Sequence, residues 1–251
     1  IGALLDQDRV QTVLRGGECG RHSRASGAYD DDVTRLFHRT SVGVNYRKTV
    51  TGSSMADVSS IKADPAAIAA ATERLAQALE TRVPCAAVRD LIGTDDLPAA
   101  YAVQQGLVQK RLATGVTVVG RKIGATSKAV QDQLGVDQPD FGYLLSDMDV
   151  SYGTGGTPIS MRTLLQPRVE AEVAFRLSRD IDVPEEQITI DLVRESVDVA
   201  IPALEIVDSR IDGWDIEFTD TVADNASSGL YVIGDAGLPL SEIEPRDVEM
   251  S

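Results

Sequence analysis

One segment limits what this chain can become more than any other. Arg168-Val-Glu-Ala-Glu-Val-Ala-Phe175 alternates apolar and acidic residues, the period of an extended strand whose side chains point to opposite faces. Val169, Ala171, Val173 and Phe175 then face one way, and Glu170 and Glu172 the other. Like charges on one strand face repel. Either these glutamates line a solvated face, or a cation between them converts the repulsion into binding.

Glu205 bears on that choice. It lies in Ile201-Pro-Ala-Leu-Glu-Ile-Val-Asp208, otherwise an apolar run suited to a buried strand. A carboxylate there is costly unless it is paired or metal-bound. The pairing alternative is an ion pair with a nearby base such as Arg210. Three carboxylates with no Cys or His select a hard ion, Mg²⁺ or Mn²⁺, over zinc. They leave about three of six octahedral positions for water and substrate.

Lys122 stands before a glycine at the end of a strand-like run, in Gly120-Arg-Lys-Ile-Gly124. It is either a surface lysine or an acid/base whose pKa burial and a nearby cation lower. Asp140, in the turn-rich stretch Asp137-Gln-Pro-Asp-Phe-Gly142, either stabilises a turn or moves protons. The polar cluster Asp224-Asn-Ala-Ser-Ser-Gly229 is a plain turn or a set of substrate hydrogen bonds, with Asn225 and Ser227 the candidates. Gly153-Thr-Gly-Gly156 lacks the Lys-Ser/Thr of a phosphate loop and carries no weight.

Charge narrows the partners. The net charge of −15 repels nucleic acid and anionic membranes, so neither is expected as a partner. It would also repel an anionic substrate unless a local cation reverses the sign, as a bound divalent ion does. No apolar run approaches the ~18–20 residues that span a bilayer, and Ile1–Val10 lacks the pattern of a secretory signal. Cys19 and Cys85 are far apart in unlike contexts, which fits a reducing cytosol. A cytoplasmic protein is the expectation.

The charge also divides the chain. Residues 1–54 hold eight Lys/Arg against six Asp/Glu, a balance of +2, and both histidines, His22 and His38. Residues 55–251 hold 16 against 33, a balance of −17. The first segment shows no sustained period and reads as a poorly ordered extension with a short helix around Val33–Phe37; Met55 is a candidate start of the folded protein. Residues 55–115 read as a helical N-terminal region. One helix starts at Pro65 behind Asp64 and runs to Leu79; another follows Asp95-Asp96 and ends at Gly115. Residues 116–251 read as an α+β core. Strands are expected at Val116–Ile123, Val169–Leu177, Ala203–Val207 and Leu230–Ile233, with helices at Ser127–Leu134 and within Ile188–Val199.

Five pieces of this core taken together resemble the 2-keto-4-pentenoate hydratases of the fumarylacetoacetate hydrolase superfamily. They are Gly120-Arg-Lys-Ile-Gly-Ala-Thr-Ser127, Gly135-Val-Asp-Gln-Pro-Asp-Phe-Gly142, Gln166-Pro-Arg-Val-Glu-Ala-Glu172, Pro202-Ala-Leu-Glu-Ile-Val-Asp-Ser-Arg210 and Ala223-Asp-Asn-Ala-Ser-Ser-Gly229. The resemblance implies a mixed β-sheet, β-roll core with a small helical N-terminal layer. It implies metal ligands at Glu170, Glu172 and Glu205, an acid/base lysine at Lys122, an active-site aspartate at Asp140 and a substrate-contacting serine at Ser227. It has no counterpart to residues 1–54, and the family continues beyond the point matching Met250-Ser251, so C-terminal strands are expected to be missing. The superfamily's hydrolases use a Glu–His pair, whereas residues 55–251 contain no histidine.

The implied reaction is addition of water to 2-hydroxypenta-2,4-dienoate, giving 4-hydroxy-2-oxopentanoate, in aromatic meta-cleavage catabolism. The implied assembly is a homo-oligomer that can associate with a pathway aldolase or decarboxylase. The rivals are a 4-oxalocrotonate-type decarboxylase of the same superfamily and a non-catalytic, truncated paralogue.

Overall fold

The structure, a computed structural model, describes the backbone of residues 2–5 and residues 61–128, 131–132, 135–151 and 159–249. The expected helix at Val33–Phe37, Met55, both histidines, Cys19 and the Gly153–Gly156 run lie outside these residues.

The two N-terminal helices follow their capping signals. Helix α1, Pro65–Thr81, begins behind Asp64, whose carboxylate accepts from the Ala66 N–H, and ends at Arg82 in a left-handed conformation, φ 59°. Helix α2 is a single turn, Arg89–Ile92. Helix α3, Leu97–Leu112, begins behind Asp96, which accepts from the Ala99 N–H. Asp96 also takes the N–H groups of Lys62 and Ala63 at 2.7 and 2.8 Å. One buried carboxylate thus fastens the segment before α1 to the start of α3. Each such cap contributes about 1 kcal/mol. Leu75, Val88, Ile92, Val103 and Val222 share the apolar cluster beneath these helices.

The core is one mixed six-stranded sheet. Its strands are β1 (Gly2–Leu5), β2 (Val118–Gly124), β3 (Asp140–Leu145), β4 (Pro167–Leu177), β5 (Val197–Asp208) and β6 (Ser228–Ile233), in the spatial order β3-β2-β1-β4-β5-β6. Only β1 and β4 run parallel. Helices α4 (Ile190–Ser196) and α5 (Phe218–Ala223) flank it. Apolar residues cover both faces of the sheet beyond Glu172: Ile123, Phe141, Val173 and Phe175 belong to one cluster, and Leu144, Ala174, Ile201 and Ile233 to another. The α+β class expected from the sequence is the one observed.

Five elements depart from the sequence reading, the single-turn α2 among them. β1 lies inside residues 1–54, where no period signals it. β3 begins within the stretch read as turns; Asp140 and Gly142 are strand residues there. Helix α5 is held by reciprocal Glu217 and Asp220 capping. β5 starts six residues before the expected Ala203 and runs through Pro202, a residue normally confined to strand edges. The Pro202 carbonyl accepts from the Gly234 N–H at 2.7 Å. A strand residue's N–H and C=O point the same way, so the missing N–H faces the end of β6, and the pairing with β4 is intact.

Candidate metal centre

The register of β4 and β5 builds the site. Glu170 and Glu172 share one face of β4, and Glu205 on β5 stands directly opposite Glu170. One carboxylate oxygen from each lies within 4.8 Å of the others. Glu170 is exposed, Glu172 half-buried and Glu205 buried. The cluster therefore opens to solvent on one side and closes against the core on the other.

Lys122 of β2 and Asp140 of β3 reach the same place from across β1. Lys122 is buried, with its Nζ 3.0 Å from Glu205 Oε2. It also donates to the Ala226 carbonyl at 2.8 Å. The ion pair expected as an alternative for Glu205 is thus real, but its base is Lys122; Arg210 pairs elsewhere. Asp140 is buried opposite Gly124. Its Oδ1 fills the space where a Gly124 side chain would be: a Cβ there would meet it at 2.2 Å.

Burial and mutual repulsion set the electrostatics. Burial pushes Glu172 up from 4.5 to about 8, and the Glu205 and Glu170 carboxylates push the same way. Burial also raises Asp140 and Glu205, with Lys122 opposing in both cases. For Lys122 itself burial disfavours the charge, but Glu205, Asp140 and Glu170 outweigh it and hold the ammonium above its ordinary value. The lowering expected from the sequence rests on burial together with a cation; burial alone does not outweigh the three carboxylates that the fold turns toward the lysine.

These shifts have a sign that can be tested. Between about pH 4.5 and about 8 the folded protein keeps a proton on Glu172 that the unfolded chain has released, so stability falls as pH rises through that window. Asp224, raised from 3.8 to about 6 by burial, adds the same slope. In chelator the melting temperature is expected to drop steadily from pH 5 to pH 8.5. Adding Mn²⁺ should stabilise most at the alkaline end, because binding must expel those protons.

Four buried oxygens at the site have no hydrogen-bond partner among the described residues: Asp140 Oδ1, Glu172 Oε2, Glu205 Oε1 and Ser227 Oγ. Buried polar atoms are normally satisfied. Two of the four belong to the glutamate cluster, and an acidic, all-oxygen donor set with one open side fits a hard divalent ion.

The polar cluster after α5 forms an unusual turn. Asn225, Ala226 and Ser227 are consecutive and left-handed, with φ of 54°, 53° and 52°, and none is glycine. Each such residue costs about 1–2 kcal/mol, with Asn the most tolerant, so the surroundings must impose the conformation. Asn225 supplies one restraint. Its Oδ1 accepts from the Tyr143 N–H at 2.8 Å, and its Nδ2 donates to the Tyr143 carbonyl at 2.9 Å. The amide stands in for a neighbouring strand at the free edge of β3. Both ends of Asn225 are thus engaged by backbone, and its visible work is to fasten the turn, whereas Ser227 keeps an unengaged hydroxyl. Gly142 lets the turn approach, since a Cβ there would lie 2.8 Å from the Asn225 carbonyl oxygen and 3.0 Å from Lys122 Cγ.

A second feature was not anticipated. Gln166, just before β4, donates to the Ser209 and Ile211 carbonyls and accepts from the Gly213 N–H, while its own carbonyl accepts from the Trp214 indole. The pinned indole carries the Arg168 guanidinium 4.1 Å from its ring centroid. Arg168 is two residues before Glu170, on the same strand face.

Comparison with known proteins gives the class first. The fold resembles the 4-oxalocrotonate decarboxylase of Pseudomonas putida, in its complex with magnesium and adipate. The TM-score is 0.62 at 26% identity, over 72% of this chain and 66% of that one. The same enzyme in complex with calcium and acetate gives a TM-score of 0.60. These are proteins of the fumarylacetoacetate hydrolase superfamily. The chain matches none of the models of protein families.

The curated relatives are more specific. The chain is 49% identical over 184 residues to the TodF product hydratase of Pseudomonas putida, covering 73% of this chain and 67% of that protein. It is 49% identical over 181 residues to the 2-keto-4-pentenoate hydratase of Paraburkholderia xenovorans, covering 72% and 64%. The chain belongs to the 2-keto-4-pentenoate hydratase family. It spans about two thirds of the length of the curated relatives it matches.

Proposed function

We propose that this protein adds water to 2-hydroxypenta-2,4-dienoate, giving 4-hydroxy-2-oxopentanoate. The observation that carries the reading is the meeting of Glu170, Glu172 and Glu205 within 4.8 Å, beside buried Lys122 and Asp140 and four unsatisfied oxygens. Glu170, Glu172 and Glu205 would hold Mg²⁺ or Mn²⁺, which supplies positive charge for the substrate carboxylate and 2-oxygen. The chain's own residues handle the protons. The substrate's 2-hydroxyl loses a proton and C5 gains one, giving an α,β-unsaturated 2-oxo acid. Water then delivers hydroxide to C4 and a proton to C3. Asp140, whose carboxyl burial raises above its ordinary value against the opposing Lys122 charge, is the candidate that alternately gives and takes a proton at Oδ1. Lys122 Nζ keeps its proton and orients Glu205. Ser227 Oγ, buried without a hydrogen-bond partner among the described residues, would contact substrate.

On the same reading residues 116–251 are the metal-binding core and residues 55–115 its helical flank. The protein works in the cytoplasm, in a meta-cleavage pathway, as a homo-oligomer that can associate with the pathway's aldolase or decarboxylase. Among the described residues no helix is long and apolar enough to cross a membrane. The decarboxylase reading draws on the structural neighbour at 26% identity, against 49% for relatives named as hydratases.

Substrate turnover followed both as hydration product and as released CO₂ separates the two. Glu172→Ala is expected to abolish hydration and weaken Mn²⁺ binding about tenfold or more. Unchanged turnover together with unchanged Mn²⁺ affinity would sink the assignment and favour a non-catalytic relative.

A further inference from the structure

The Ala226 carbonyl that receives the Lys122 ammonium belongs to a peptide in an unfavourable conformation, and something must hold it there. Arg210, two residues beyond the end of β5, is placed to do so. Its backbone N–H donates to Asp224 Oδ2 at 2.9 Å, and its Nε donates to Asp224 Oδ1. Nη2 donates to the Asp224 carbonyl and Nη1 to the Ser228 carbonyl, the latter at 2.6 Å. Arg210 and Asp224 are both buried, at 6% and 0% exposure. The guanidinium therefore grips the peptide carbonyls on either side of the left-handed triplet, and Asp224 fixes the guanidinium. Only a rigid, planar fork can span both carbonyls while keeping its carboxylate partner.

We propose that the Arg210–Asp224 pair positions Lys122: it clamps the Asn225–Ala226–Ser227 turn so that the Ala226 carbonyl holds Nζ at a set distance from Glu205. This deepens the hydratase reading and rests on it for the catalytic consequence. Lys122 Nζ has two recorded partners, Glu205 Oε2 and Ala226 O. With the carbonyl withdrawn, the ammonium is held by the carboxylate alone and loses its fixed place in the site. Among the described residues no hydrogen bond or ion pair joins Arg210 or Asp224 to the glutamate cluster, so a change in the Arg210 side chain is expected to reach the chemistry through the turn.

The test uses the full chain with Arg210→Lys, which keeps the charge and loses the fork. Three measurements are compared with the unchanged protein. In metal-free protein, amide exchange at 225–228 and the rate of Lys122 modification by an amine reagent, read by peptide mass mapping against Lys62 and Lys110, should each rise about tenfold. Exchange in β4 and in α1 should not change. In Mn²⁺-loaded protein kcat should fall about 10- to 100-fold, the scale of a misplaced group, with Mn²⁺ affinity within about threefold. Adding Ala226→Gly, which takes up a left-handed conformation freely, should recover at least about threefold in kcat. An Arg210→Lys protein with undisturbed Lys122 reactivity overturns the proposal. So does one whose exchange rises everywhere alike, or whose lost kcat Ala226→Gly leaves unrestored. Should the unchanged protein hydrate no dienoate while Lys122 is still released by Arg210→Lys, the positioning stands and the hydratase reading falls.

Discussion

Glu205→Gln is expected to weaken Mn²⁺ binding by about 100-fold or more and to lower turnover on the order of a thousandfold, with little change in fold. Glu205 is the buried member of the cluster and lies opposite Glu170. It sits where the dielectric is lowest and a charge acts most strongly. Its Oε1 has no hydrogen-bond partner among the described residues, and Oε2 already receives Lys122. Glutamine keeps the volume and an acceptor for Lys122 but removes the charge that faces the cation. Truncation to alanine would instead leave Lys122 buried and unpaired, a loss of about 3–5 kcal/mol, and would confound ligand loss with unfolding. Calorimetric titration with Mn²⁺ and a turnover assay read the two effects, and an affinity within a few fold of the original would remove Glu205 from the ligand set.

Lys122→Met should separate the lysine from the ligands by giving effects of opposite sign. Turnover is expected to fall by about 10²-fold, the scale of a misplaced group. Metal affinity should hold or rise, because Lys122 Nζ competes with a cation for Glu205 and its removal deletes a positive charge from the site. Methionine fills most of the stem's volume, so the buried stretch of β2 stays packed. Glu205 loses the one recorded charge that opposes its burial; its carboxyl then keeps its proton to higher pH, and metal-free stability falls more steeply as pH rises. Parallel loss of metal affinity and turnover would instead make Lys122 a structural support of the ligands.

The cluster was readable because a strand's two-residue period places Glu170 and Glu172 together without any tertiary information. The caps at Asp64 and Asp96 were readable for the same reason: a helix start is a local event. Elements that depend on a distant neighbour were not. β3 looks like a turn because Gly142 looks like a breaker, yet that glycine exists to admit a peptide from 83 residues later in the chain. Pro202 hides the first half of β5 because its tolerance depends on where β6 ends. Asn225 advertises a polar side chain without showing that the Tyr143 backbone takes up both its ends. The sign of the Lys122 shift required knowing how many carboxylates surround it. Arg210 and Asp224 are 14 residues apart, and nothing in their local pattern marks them as a buried pair.

The stack of Arg168 on Trp214 gives the protein a built-in optical probe. The chain has a single tryptophan, so its emission comes from one place and needs no deconvolution. That indole is tethered through Gln166 to the strand that carries Glu170 and Glu172, and the charge lying on its ring belongs to that strand as well. Anything that draws the guanidinium toward the glutamates alters the electric field across the chromophore. Occupancy of the carboxylate cluster is therefore expected to change the intrinsic fluorescence, without a label and without turnover.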